Sequence, residues 1–480
     1  MGINSNKLLN KIQKAWLPDK LREAWRSDRI WKIEWLYVAA TSGVAILTFF
    51  YMDLISLTIW STNLLDVIWE GNLRGFYALS AENIHNVRHE MSGMDIFALI
   101  PHAIWNIPIW IAQRFFHIEI VESSYCLVWS KLFFVGLFAC VCGVAYKISL
   151  LLHPEKNKAM TVCFLSASSI FVYTGIYYAG QNDIIFILLG LLSVYYLMRD
   201  RNKLFFILAG LSILAKPFFL FPFIALLLLT EKNVLKVVGQ LVLAVSFVLP
   251  FKLLFWGAPL YRESLEQGPG PRMIKGFVEG TYPSGIGEFA PVLVCLGVLY
   301  LFAYLKTPRD GQERNSYILY VTAAAFLLIP LWTYVQFYRM IILAPVLSLV
   351  MVHTSRFYKL NVVLETVMGF SYTIVSAMGD FVYKVKDVRG LGHKLFGVLR
   401  EQEYDGLSSY VKTNFESYVS CMPVFHAAFV FAALALLVIN FPAFRLEGIP
   451  RMEKAERWIL WVRLSVPLFF MVSVLVFYGG

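Results

Sequence analysis

The stretch "GQNDIIFILLGLLSVYYLMRDRNKLFFILAGLSILAKPFFLFP", Gly180 to Pro222, decides the fold. An apolar run of membrane-span length opens on Gln181, Asn182 and Asp183 and closes on Arg199, Asp200, Arg201 and Lys203. A helix crosses the hydrocarbon core with about 20 apolar residues, and basic residues collect in the loops that stay on the cytoplasmic side. The run therefore reads as a transmembrane helix with its basic end inside and its amide and carboxylate cluster outside. The apolar chain that follows, Leu204 to Leu229, is too long for one upright span and barely enough for two, with Lys216-Pro217 in its middle. It reads as two short helices meeting at Lys216; one long helix kinked at Pro217 is the alternative. Broken helices at membrane depth line cavities, because their freed backbone groups need partners.

The rest of the chain has the same character. Of its 480 residues, 58% are hydrophobic and 15% charged, too few charges for a soluble chain of this length. The expected fold is all-α: a polytopic transmembrane helix bundle of about 11–13 spans, with external interfacial helices between the first two spans. A net charge of +10 would suggest nucleic acid in a soluble protein. Here the excess lies in short loops between spans and sets orientation, so no nucleic-acid partner is expected. The six cysteines sit mostly in apolar runs without metal-ligand spacing and read as small hydrophobes. The chain has no Asn-x-Ser/Thr, which favours a prokaryotic cell membrane over a secretory-pathway one.

Three regions follow. Residues 1–35 form a basic amphipathic segment suited to an anionic cytoplasmic leaflet, or an ordinary soluble helix packed on the protein; they do not read as a cleavable signal. Residues 36–345 form the membrane core, whose first span ends at Asp53. Within it, 54–122 holds two half-apolar pieces rich in tryptophan, and 95–113 either lies at the outer interface or spans. Residues 346–480 add further spans around a charged, external segment, 381–421.

An ionisable residue at membrane depth is a functional candidate, because placing it there costs several kcal/mol. The outer side collects Asp53, Asp66, Asp95, Asp183, Lys216, Arg262, Arg272 and Arg339. Asp53 follows an apolar span, where a partly dry carboxylate suits a general base; capping the next helix is the alternative. Lys216 and Arg339 suit phosphate, Arg as a bidentate fork and Lys as a point charge, while a snorkelling interfacial arginine is the plainer reading of Arg339. His85, His89 and Glu90 in "NIHNVRHE" share a helix spacing, but no third ligand stands nearby, so no metal site is expected. No P-loop, nucleotide fingerprint or protease motif occurs, so direct use of ATP or a nucleotide sugar, and any cofactor, is not expected.

Four motifs stand in order along the chain. The first is a span ending in Asp53, followed by an aromatic helix with Trp60, Gly71 and Tyr77. The second is "FALIPHAIW", with its proline among aromatics. The third and most specific is the stretch quoted above, and the fourth is "FYRMIILAPVLSL", with Tyr338 and Arg339. In this order they resemble the GT-C class of integral-membrane glycosyltransferases, and are most similar to bacterial mannosyltransferases that use polyprenyl-phosphate sugars. The chain departs from that pattern in having Leu54 beside Asp53, where many relatives have a second acid, and Thr58 where an aromatic is common.

The resemblance implies transfer of a sugar from a polyprenyl-phosphate donor to a hydroxyl of a lipid or glycan acceptor on the outer face. It assigns Asp53 as base and Lys216 with Arg339 to the lipid phosphate. Gln181, Asp183 and Tyr338 would line the substrate pocket; a helix cap is the alternative for Asp183. A lipid-linked-glycan flippase or transporter is the rival reading, although the chain shows no internal repeat.

Overall fold

The computed structural model describes residues 32–50, 52–84, 96–120, 123–266, 268, 271, 274–277, 280, 282–284, 287–333, 335–353, 357–378, 420–442 and 456–479. The basic N-terminal segment up to residue 31 and nearly all of 381–421 lie outside them, as do His85, His89, Glu90, Asp95 and Arg272.

Helices α1 (Lys32–Thr48) and α2 (Met52–Trp69) meet at an elbow, and a short connection leads to α3 (Phe76–Ile84). The next two, α4 (Ile96–Trp105) and α5 (Ile107–Phe116), are bent by 71° from each other at Asn106. Ser123 caps α6 (Ser124–Leu152) by accepting the Cys126 N–H at 3.4 Å. Then α7 (Lys156–Ala167) and α8 (Ile170–Tyr178) form a second broken pair, bent by 52°, and α8 closes in a π-helical turn, Tyr173–Tyr178.

The quoted stretch becomes α9 (Asp183–Met198) and α10 (Asn202–Ala215), after which Lys216 is extended (φ −161°, ψ 130°) before α11 (Leu220–Thr230) begins. The proline explains the stop: it disfavours helical backbone at the residue before it and brings no N–H of its own. The run is two helices, not one kinked helix. Next come α12 (Val234–Ser246), α13 (Leu249–Phe255) and α14 (Tyr261–Glu266). The Gly- and Pro-rich loop that follows carries the two-stranded antiparallel hairpin β1 (Tyr282–Ser284) and β2 (Gly287–Phe289), in which Tyr282 is opposite Phe289. The chain finishes with α15 (Pro291–Leu305), α16 (Gly311–Trp332), α17 (Leu343–His353), α18 (Tyr358–Met378), α19 (Met422–Ile439) and α20 (Glu456–Gly479).

Four segments among the described residues are long and apolar enough to cross a membrane: α6, Val234–Phe255, α16 and α19; counting each bent pair as one span gives six. Seven further apolar helices have 10–17 residues. Burial sorts the long ones. The most apolar part of α16 is 78% buried, so this helix is a central post, whereas that of Val234–Phe255 is only 11% buried. Leu235, Val242 and Leu253 on that outer segment are exposed by 84, 63 and 69%, and Trp256 just after it by 74%. An exposed apolar surface of this extent is compatible with a helix that faces a bilayer.

Two buried polar clasps tie the C-terminal helices to the rest. Arg463 on α20 bonds Glu365 on α18 through Nε (2.8 Å) and Nη2 (3.2 Å), and reaches Ser168 and the Leu165 carbonyl at the break between α7 and α8. Asn361 and Asn440 exchange amide hydrogen bonds of 2.9 and 2.8 Å between α18 and the end of α19.

Charged turns at the ends of several helices meet. Arg314 at the start of α16 bonds Asp200 after α9 (2.6 Å), and Lys232 after α11 donates to the Ala303 and Lys306 carbonyls at the end of α15 (3.0 and 2.9 Å). The opposite ends of these helices carry the candidate site.

Candidate active site at the broken helices

Four separate pieces of chain converge at this end: the start of α2, the turn between α8 and α9, the break after α10, and the 3-10 turn Phe337–Ile342 before α17. Asp53 lies in the first turn of α2, where a carboxylate also suits the positive end of the helix. Gln181 donates from Nε2 to the Asp53 carboxylate at 2.7 Å, across 128 positions of sequence. The turn that presents Gln181 depends on Gly180, which holds φ +61°; a Cβ there would come within 2.9 Å of Leu54 Cδ1. Backbone of this kind excludes most side chains and lets the Gln181 turn sit directly on the Asp53 helix. Gly175 plays a similar part lower down, because a Cβ on it would meet the Tyr338 carbonyl oxygen at 2.7 Å.

Asp183 opens α9 and forms a buried ion pair with Lys216. The ammonium also stands 5.4 Å from the ring centre of Phe218 and 5.9 Å from that of Phe186. Such a pair is costly to desolvate and is held here by its mutual contact and flanking aromatic faces. Arg339 lies in electrostatic range of Asp53, Asp183 and Lys216, and its guanidinium carbon is 5.8 Å from the Tyr338 ring centre. Its Nε–H is buried and has no hydrogen-bond partner among the described residues. The two carboxylates and two cations balance in formal charge.

Asp183 and Arg339 line a small cleft with Phe186, Phe218, Phe326, Ile329 and neighbouring side chains. A second, smaller apolar hollow shares the Phe326 and Ile342 walls and lies among Ile187, Leu191, Phe219 and Val346, between α9, α16 and α17. The Asp183 and Arg339 end therefore has largely apolar walls. Chemically, this arrangement can hold an anionic group on its cations and accept a proton on a carboxylate.

The expected residues fare differently. Asp53, Gln181, Asp183, Lys216 and Arg339 come together. Tyr338 is buried and its hydroxyl donates to Gln336 at 2.6 Å, so it backs Arg339 from below. Asp66 belongs to a separate cluster, accepting from Arg114 (3.0 Å) and Trp110 (2.8 Å), and Arg262 is exposed beside Glu266 at 3.7 Å. Among the described residues no group of three or more His, Cys, Asp or Glu side chains is placed to hold a metal ion.

Lys131 escaped the sequence reading, although an ionisable residue seven places into an apolar helix is itself the signal. Arg463 and Glu365 escaped it for the same reason. No protein-family model, no curated protein and no solved structure matches this chain.

Proposed function

We propose that this chain is an integral-membrane glycosyltransferase of the GT-C kind, moving a hexose, with mannose the leading candidate, from a polyprenyl-phosphate donor to a hydroxyl of an envelope lipid or polysaccharide. The reaction takes place at the outer face of a bacterial cell membrane, and the short apolar helices count with the long ones as spans, about 11–13 in all.

One observation carries this reading: Asp53, Gln181, Asp183, Lys216 and Arg339, drawn from four distant pieces of chain, come together, and Asp183 and Arg339 among them line a cleft with apolar walls. A donor of this class has the same two-part character, a charged phosphate on a long hydrocarbon. In the proposed step Asp53 takes the acceptor hydroxyl proton, and the acceptor oxygen forms a bond to the anomeric carbon. The bond from that carbon to the phosphate oxygen breaks, and its electron pair leaves on the polyprenyl phosphate. Lys216 and the unpaired Nε–H of Arg339 stabilise the charge that builds there. Gln181 holds the Asp53 carboxylate in place, and Asp183 holds Lys216. A single general base contributes roughly 10²–10⁴-fold, and positioning and charge stabilisation supply the remainder.

The test is reconstitution of the purified protein in liposomes with radiolabelled polyprenyl-phosphate hexoses and candidate hydroxyl acceptors. Label appearing in the acceptor supports the proposal. Label that crosses the bilayer still attached to its carrier would instead make the protein a flippase.

A further inference from the structure

Lys131 lies within α6, is fully buried, and serves none of the steps above. Among the described residues the partners of its ammonium are carbonyl oxygens: that of Phe49, that of Tyr177 at 2.9 Å and that of Ala45 at 3.5 Å. Its Nζ also stands 5.0 Å from the ring centre of Phe50. Three N–H donors thus face three acceptors, which is the full capacity of a lysine head group. Two of the acceptors stand at the end of α1: Phe49 directly follows the helix, and the Ala45 carbonyl, which also accepts the Phe49 N–H at 3.2 Å, lies in its last turn, where the dipole favours a cation.

What these carbonyls precede gives the arrangement its meaning. Phe49 stands four residues before Asp53, and Tyr177 four residues before Gln181. The two chain segments are therefore pinned to each other twice: by Lys131 at their backbones, and by the 2.7 Å hydrogen bond from Gln181 to Asp53 at their side chains. Phe134, one turn along α6 from Lys131, packs at 3.5 Å from the Cβ position of Gly180, next to Leu54. A single face of α6 thus holds both halves of the Asp53–Gln181 pair.

We infer that Lys131 is a positioning residue: its ammonium fixes the 49–53 elbow against the 177–181 turn and so sets where the Asp53 carboxylate stands. This rests on the proposed role of Asp53, and the experiment separates the two claims. A lysine that only staples the bundle would change stability and leave the turnover of folded protein intact. An isosteric Lys131→Met removes all three donors and keeps the stem. Should it not accumulate as folded protein, Lys131→Gln takes its place.

Two readouts are taken on full-length protein in liposomes. The first is steady-state transfer from polyprenyl-phosphate hexose per folded molecule. There we expect kcat to fall by about 10²-fold, the effect of a misplacement on the order of 1 Å, while the donor KM stays within about twofold. On an Asp53→Asn background, adding Lys131→Met produces no further loss. The second readout needs no activity. Cysteines at Asp53→Cys and Gln181→Cys, in a chain whose six native cysteines are replaced, are joined by a short bifunctional thiol reagent. Lys131→Met slows this cross-linking. Folded Lys131→Met with native kcat and native cross-linking overturns the inference. If Asp53→Asn itself transfers sugar normally, the role of Asp53 falls, and the cross-linking rate alone still decides whether Lys131 sets its position.

Discussion

Replacing Lys216 by methionine leaves Asp183, only 3% exposed, without its ion-pair partner. Removing one member of a buried pair destabilises by about 3–5 kcal/mol, because the other charge is stranded. Arg339 remains within electrostatic range of Asp183, which places Lys216→Met near the low end, about 3 kcal/mol. Asp183→Leu strands Lys216 with only Asp53 in range and should behave similarly. The double variant Lys216→Met/Asp183→Leu has no stranded charge and is expected within about 1 kcal/mol of the native protein, since apolar replacement of a whole buried pair is often neutral. The double-mutant cycle then gives a coupling of about 5 kcal/mol or more. The assay is a reversible detergent-denaturation titration followed by tryptophan fluorescence, with donor binding measured in parallel. The proposed function adds a second condition: the double variant recovers stability but not donor binding. Stability losses that simply add would refute the buried-pair reasoning.

Other substitutions probe the remaining contacts. Gly180→Ala places a Cβ at left-handed backbone and 2.9 Å from Leu54; we expect a loss of about 1–3 kcal/mol in the same titration, with reduced kcat. Glu365→Gln strands the buried Arg463 and should destabilise by about 3–5 kcal/mol, while transfer per folded molecule stays native. Arg339→Lys keeps the charge but loses the planar fork, so the donor KM should rise by about tenfold, and Arg339→Met should raise it further.

Much of this architecture could be read from local rules. The Lys216-Pro217 break follows from what a proline does to the residue before it, and the elbow beside Asp53 from the end of an apolar run. The residues that stand at the site were found because ionisable and amide groups at a span end are rare. Their mutual contacts were not legible. Gln181 meets Asp53 only because α8 widens into a π turn and Gly180 takes a left-handed backbone, and neither feature has a local sequence rule strong enough to announce it. The bend between α4 and α5 at Asn106 left the spanning question open in the sequence for the same reason. Glu365 and Arg463, 98 positions apart, pair through the docking of α20 on α18, which is a tertiary fact.

The central claim, that Asp53 removes the proton from the sugar acceptor at a donor site built by Lys216 and Arg339, is tested most directly by one comparison. Sugar transfer from a polyprenyl-phosphate donor is measured for the native protein and for Asp53→Asn, with donor affinity measured on both. The account predicts a loss of turnover of roughly 10²–10⁴-fold with donor affinity retained. Native turnover in Asp53→Asn would contradict it.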